Sequence, residues 1–306
     1  VCGIRVDKLL QRDGAVCGVA CDGDELEADC VILAEGVNGL LAQKVGMKKE
    51  IMPHQAAVGV KEVIRLGAET INERFGLADG EGAALLIAGD STGGAEGGGF
   101  LYTNRDSVSI GTVATLSHIG AGRGVKVPDM IDRLKAHPGI APLIAGGEPV
   151  EYAAHLVPEA GANMTPELFW DGVLIAGDAA GFVMNMGYTF RGMDLAIESG
   201  RIAALAVLHA KAVGDFSAQT LAFYRDLLEA SFVLRDLAHY RGMPALMDSR
   251  LIYDELPGLA CETLGGMFAV DGRAPRRMVG RATETVLEAG GLTELAALGW
   301  RALKTL

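Results

Sequence analysis

The stretch VLIAGDAAGFVMNMGYTFRGMDLAIESG, from Val173 to Gly200, limits what this chain can fold into more than any other. A short apolar run without alternation, as expected of a strand covered on both faces, ends in Gly-Asp-Ala-Ala-Gly. A glycine-led helical pattern follows. That order reads as strand, turn and helix of an α/β sheet, with Asp178 at the carboxyl edge, where such sheets bind ligands. An ionised carboxylate there can accept hydrogen bonds from sugar-alcohol hydroxyls. Gly177 and Gly181 let a ligand approach the backbone, and the helix led by Gly192 presents N–H groups and a positive dipole end. A ribityl chain leading into an isoalloxazine ring suits all three features. The same pattern could serve as a cap with glycines for close packing. The buried strand before it and the glycine-led helix after it favour the ligand reading.

A second strand-end motif lies upstream. Val31 to Ala34 (VILA) is apolar without alternation and runs into Glu35-Gly36-Val37-Asn38-Gly39, then the helical LLAQKVGM. Before it, IRVDKLL, AVCGVAC and ELEADC are separated by Asp13-Gly14 and Asp22-Gly23, two hairpin signals of a small meander. The chain opens at Val1, inside a strand-like run and without methionine, so it is expected to be a fragment lacking its N-terminus.

From about residue 51 the texture is β-rich, with VGVKEVIRL, ALLIAG, GGGFLYTN and SVSIGTVATL separated by turn residues and a helical insert over VPDMIDRLKAH. This predicts an antiparallel domain inserted into the first. The expected boundaries are 1–50 and 153–213 for the dinucleotide-type domain, 51–152 for the insert, and 214–306 for a helical C-terminal region. The glycine-rich GGAEGGGFLY reads as a hairpin, because a phosphate loop would need a helix directly after it.

Half the residues are hydrophobic and the formal net charge is −12, which argues against nucleic acid as the main partner. No apolar run approaches the roughly 18 residues of a spanning helix, and the expected setting is the cytoplasm. None of the five cysteines forms a C-x-x-C pair, so no iron–sulfur cluster or metal site is expected within the chain. The cysteines read as small buried hydrophobes.

GDAAGFV with GYTFRGMDLAIESG resembles the second flavin motif of FAD-dependent oxidoreductases of the geranylgeranyl reductase and electron transfer flavoprotein–quinone oxidoreductase superfamily. NMGYTFRGMDLAIESG, EYAAHLVPEAG and FAVDGRAPRR are similar to its FixC branch. The resemblance implies a Rossmann-type FAD-binding domain with an inserted antiparallel substrate domain and a helical C-terminal region. It implies electron relay from electron transfer flavoprotein subunits toward quinone or a ferredoxin-like protein, with room for peripheral contact at the inner face of a membrane. It also places the G-x-G-x-x-G phosphate loop ahead of residue 1. The family's four-cysteine cluster has no counterpart, since only Cys261 lies in the C-terminal part. Where the family often shows Ser, this chain has Gly39.

The cofactor-contact residues expected on this reading are Gly36, Asn38, Gly177, Asp178, Gly181, Arg191, Gly192 and Met193. No catalytic side chain is expected, because the flavin carries the chemistry. Arg191 reads equally as a contact near the flavin or quinone or as a plain surface or domain-pairing arginine, and His155 as a general acid or, more in keeping with flavin chemistry, as structural or lining a passage between domains. LACETLGGMFAV (259–270) reads as core rather than as membrane or quinone contact. The alternatives are a flavin-dependent reductase or hydroxylase acting directly on a small or isoprenoid substrate, and a flavin-free scaffold subunit.

Overall fold

The computed structural model describes residues 2–119, 126–249, 251–270, 272 and 292–305. These fall into two compact units: residues 1–56 with 156–244, and residues 57–155 with 245–306.

The first unit opens with the meander β1 (Lys8–Arg12), β2 (Ala15–Cys21) and β3 (Asp24–Glu27), paired antiparallel in that order. Asp13 and Asp22 both adopt positive φ, as do Gly14 and Gly23 after them. Two consecutive left-handed residues make the turn whose twist matches a right-handed hairpin, and Asp-Gly meets that demand. The strand β4 (Val31–Leu33) follows, then the short helix α1 (Leu40–Lys44).

The second unit is built on a five-stranded antiparallel sheet in the order β6-β7-β8-β5-β9. Its strands are β5 (Ala56–Arg65), β6 (Ala84–Ile87), β7 (Gly97–Thr103), β8 (Ser107–Thr115) and β9 (Glu148–Pro158), with helices α2 (Ala68–Phe75), α3 (Val127–Ala136) and α4 (Ala141–Ile144). β8 is central and almost wholly buried. Ile64, Ile71, Leu101, Val108, Ile110 and Leu134 form the core beneath it. The glycine-rich segment is strand, as its hairpin reading requires. A Cβ at Gly98 would stand 2.7 Å from the Ile87 carbonyl oxygen, and one at Gly99 would stand 3.0 Å from Leu134. The glycines therefore let β6 and α3 close on β7.

The chain returns to the first unit through β10 (Phe169–Trp170) and β11 (Val173–Ile175). β11 runs parallel to β4, pairing Val173 with Val31 and Ile175 with Leu33. After the hairpin β12 (Met184–Asn185) and β13 (Phe190–Arg191) comes the 21-residue helix α5 (Met193–Val213). Then follow α6 (Ala218–Leu221), α7 (Phe223–Ala230) and α8 (Phe232–His239). Ser217 caps α6, and Ser231 accepts from the Val233 N–H to begin α8, so one amphipathic run becomes three helices. Leu221, Tyr224, Leu228, Val233 and Leu237 join the core around β11, so residues 218–239 belong to the first unit rather than to a separate helical region.

The helix α9 (Met243–Met247) leads back to the second unit, where α10 (Leu256–Phe268) and α11 (Leu292–Thr305) are described. The expected burial of 259–270 does not occur. Leu264, Phe268 and Val270 are exposed, while Leu256 and Leu259 at the start of α10 are half-buried. Most of FAVDGRAPRR lies outside the described residues. Among the described residues no helix is long and apolar enough to cross a membrane.

Candidate functional site

Because β4 and β11 are parallel, the loops leaving their carboxyl ends emerge at one edge of the sheet, and the Ala176 N–H donates to the Leu33 carbonyl there at 3.0 Å. After β4, Gly36 adopts φ +74° with open space where a side chain would stand. Glu35 folds over the next helix. Its two carboxylate oxygens accept from the Leu41 and Ala42 N–H groups at 2.8 and 2.9 Å. The N-cap of α1 is Gly39, which has no side chain, so Glu35 supplies the missing cap and sets a charge against the helix dipole. Asn38 is exposed, and its carbonyl accepts from Gln43 Nε2 at 2.6 Å.

After β11, Gly177 to Ala180 form one tight turn, closed by Gly181 at φ +72°. The turn is fastened from three sides. Tyr224 on α7 donates its hydroxyl to the Ile175 carbonyl at 3.0 Å, and burial pushes that phenol well above its usual range. Ser199 on α5 accepts from the Gly177 N–H at 3.0 Å. Lys48 donates from Nζ to the Ala179 carbonyl at 3.0 Å.

The same Nζ donates to the Val37 carbonyl at 2.7 Å, so one ammonium joins both strand-end loops. Lys48 is 5% exposed. Burial lowers its pKa below the usual lysine value, while the Glu35 and Asp178 carboxylates act the other way. Asp178 is half-buried in the turn. Neither Glu35 nor Lys48 was among the residues expected from sequence. The signal for Glu35 was a carboxylate ahead of a helix whose own cap is glycine. No local signal marks Lys48, because its partner lies 131 residues away.

The start of α5 adjoins this turn. A Cβ on Gly177 would sit 3.5 Å from the Ala196 side chain, and one on Gly192 would sit 2.8 Å from Val183. Gly192 is the N-cap, makes no side-chain cap, and is followed by Met193, which is 85% exposed. Arg191 is engaged within the protein. Its Nε donates to Asp194 at 2.6 Å, its Nη1 to Asp236 at 2.9 Å, and its guanidinium lies 5.5 Å from the Phe232 ring centroid. It therefore ties the entry of α5 to α8, and both hydrogen-bonded carboxylates hold its pKa above the usual arginine value. Gly36, Gly177, Asp178, Gly181 and Gly192 thus lie on the two strand-end loops and the helix start beside them. His155 is exposed on the edge strand β9, in the other unit.

The second unit holds a different cluster. Ligand atoms of Glu96, His118 and Asp248 lie within 4.8 Å of one another. His118 Nδ1 accepts the Glu96 backbone N–H at 3.0 Å, so a neutral ring keeps its proton on Nε2, which faces Asp248 at 3.3 Å. A cation on Nε2 would have to displace that proton with Nδ1 still facing a donor, so the arrangement suits a shared proton better than a metal ion. Burial, reinforced by Asp248, raises the Glu96 carboxyl to about 7.

The residues of the first unit fit the isoalloxazine and ribityl half of a flavin. They offer a half-buried carboxylate acceptor, loop backbone bare of side chains, and a helix start with no side-chain cap. The chain is 53% identical over 278 residues to Protein FixC of Escherichia coli strain K12, covering 91% of this chain and 64% of the relative. It is 49% identical over 271 residues to the protein named "Probable electron transfer flavoprotein-quinone oxidoreductase YdiS" of the same strain, covering 89% of this chain and 63% of that one. The chain thus spans under two thirds of the length of the relatives it matches. A geranylgeranyl bacteriochlorophyll reductase-like protein from Thermoplasma acidophilum shares the fold, with a TM-score of 0.66 at 17% identity over 96% of this chain and 69% of that one. The model of the ETF-QO/FixC family C-terminal domain matches residues 243–306. The chain is similar to FixC along nine-tenths of its length, and its residues 243–306 match the model of the ETF-QO/FixC family C-terminal domain.

Proposed function

We propose that this chain is part of an FAD-dependent oxidoreductase that relays electrons from electron transfer flavoprotein subunits toward quinone or a ferredoxin-like protein. The observation that carries the reading is the junction of the two strand-end loops through Lys48, which sets the Asp178 turn beside Gly36 and the start of α5. FAD, when bound, supplies the redox chemistry by accepting electrons and passing them on. The chain's own residues bind and orient it. The Asp178 carboxylate accepts from ribityl hydroxyls, and Gly36, Gly177 and Gly181 keep the adjoining backbone bare. Gly192 and Met193 offer N–H groups at the positive end of α5. Asn38 lies exposed at the tip of the first loop. No side chain of this site is required as nucleophile or base.

The YdiS likeness and the composition support these partners. Beyond Cys30 the sequence given holds only Cys261, so this stretch offers no four-cysteine site of its own, which supports a ferredoxin-like partner. The outward apolar residues of α10 support peripheral contact at the cytoplasmic face of a membrane. A flavin absorbance spectrum of the purified full-length protein tests the cofactor, and its bleaching by reduced electron transfer flavoprotein tests the donor. Rapid bleaching by NAD(P)H alone would instead support a reductase or hydroxylase acting directly on substrate, and a protein that never takes up flavin would sink both. Co-sedimentation with lipid vesicles, lost on Phe268→Ser, checks the membrane contact.

A further inference from the structure

Lysine is rarely buried unless its charge is matched, since an unpaired ammonium in an apolar interior is costly. Lys48 is buried, yet a methionine of similar length would fill the same space without that cost. What methionine could not do is donate to the Val37 and Ala179 carbonyls, which belong to loops brought together only by the fold. Nor could it sit as a cation near both Glu35, which caps α1, and Asp178, which heads the opposite loop. The fit is close enough to dictate a neighbour. A Cβ at Gly39 would stand 2.7 Å from Lys48 Cδ and 3.0 Å from Nζ, and Gly39 already has φ +56°. Glycine at residue 39, which the positive φ favours on its own, also leaves the lysine stem its room.

We propose that Lys48 is the positioning residue of the flavin site: its ammonium clamps the loop 35–39 to the turn 177–180 and so fixes where the Asp178 carboxylate stands. This rests on the flavin reading above, and the test separates the two. Flavin dissociation constants and apoprotein melting temperatures are to be measured on the holoprotein and on Lys48→Arg, Lys48→Met, Lys48→Ala and Gly39→Ala. Two charge-assisted hydrogen bonds are lost in Lys48→Met, so its flavin affinity should fall at least roughly tenfold in the folded fraction. Lys48→Arg, which keeps the donors, should recover part of that loss. Raising pH through the depressed Lys48 pKa should weaken flavin binding in the wild type, and this alkaline limb should vanish in Lys48→Met.

Gly39→Ala reaches the same clamp with the lysine retained. It should weaken flavin binding more in the wild-type background than in Lys48→Ala, which removes the stem; the backbone strain is common to both backgrounds and cancels in the cycle. Should Lys48→Met fail to fold, the alkaline limb and the Gly39→Ala variant still decide. Wild-type protein that binds flavin, with Lys48→Met affinity and pH profile unchanged, overturns the clamp and leaves the flavin reading standing. Wild-type protein that binds no flavin overturns the reading beneath it.

Discussion

Glu96 is the carboxylate on which a pH experiment bears most directly. It is 7% exposed, and burial together with the nearby Asp248 raises its pKa from an ordinary glutamate value of 4.5 to about 7. At 1.36 kcal/mol per pH unit, that displacement is worth about 3 kcal/mol. The sign follows from which state binds the proton. The folded chain holds it more tightly than the unfolded chain, so the stabilisation is whole below pH 4.5 and is lost as pH rises through about 7. Between pH 5 and pH 8 the unfolding free energy should fall by roughly 2 kcal/mol through this group alone. The perturbation is Glu96→Gln, which keeps the shape and cannot ionise. Urea titrations followed by circular dichroism at pH 5, 6.5 and 8 should show the wild type losing stability relative to the variant across that window. A wild type and variant that keep a constant stability difference from pH 5 to 8 would refute the reasoning. So would a wild type that gains on the variant as pH rises.

Two further outcomes bear on the site in the first unit. Asp178→Ala should weaken flavin binding roughly 10- to 150-fold, the cost of one charge-assisted hydrogen bond, with a smaller loss for Asp178→Asn, measured as flavin dissociation constants; unchanged affinity in the alanine variant would remove Asp178 from the site. Arg191→Met should lower the melting temperature by releasing Asp194 and Asp236, yet leave flavin affinity of the folded fraction unchanged; the reverse pattern would restore Arg191 as a cofactor contact.

Much of the fold was legible because its signals are local. Asp-Gly pairs with both residues at positive φ, and apolar runs at strand ends, need no knowledge of distant residues. The strand and helix around Asp178 were legible for the same reason. The destination of an apolar helix is not local. Residues 259–270 have the composition of a core helix, and only their tertiary surroundings reveal that Leu264 and Phe268 face outward. Arg191 was ambiguous until Asp236 came near it from α8, 45 residues on. The helical run after Asp215 looked like a separate region because its apolar stripe does not say which core it covers.

Lys48 and Gly39 show how a departure in sequence can be misread one residue at a time. Against the family resemblance, which leads one to expect serine there, glycine at position 39 taken alone reads as the loss of a hydroxyl contact. Lys48 alone, in the run Met47-Lys48-Lys49-Glu50, reads as one more surface charge. Folding places the lysine stem where a Cβ of residue 39 would stand and carries its ammonium to two carbonyls on opposite loops. What glycine removes is therefore volume rather than function, and the volume is taken by a cation. That cation lies near the two carboxylates heading the strand-end loops, Glu35 and Asp178, and offsets part of the repulsion that two half-buried negative charges at one sheet edge would otherwise cost. On the flavin reading, an edge that presents one carboxylate to a ligand while using another to cap a helix gains from such a counter-charge, and glycine at residue 39 leaves it room.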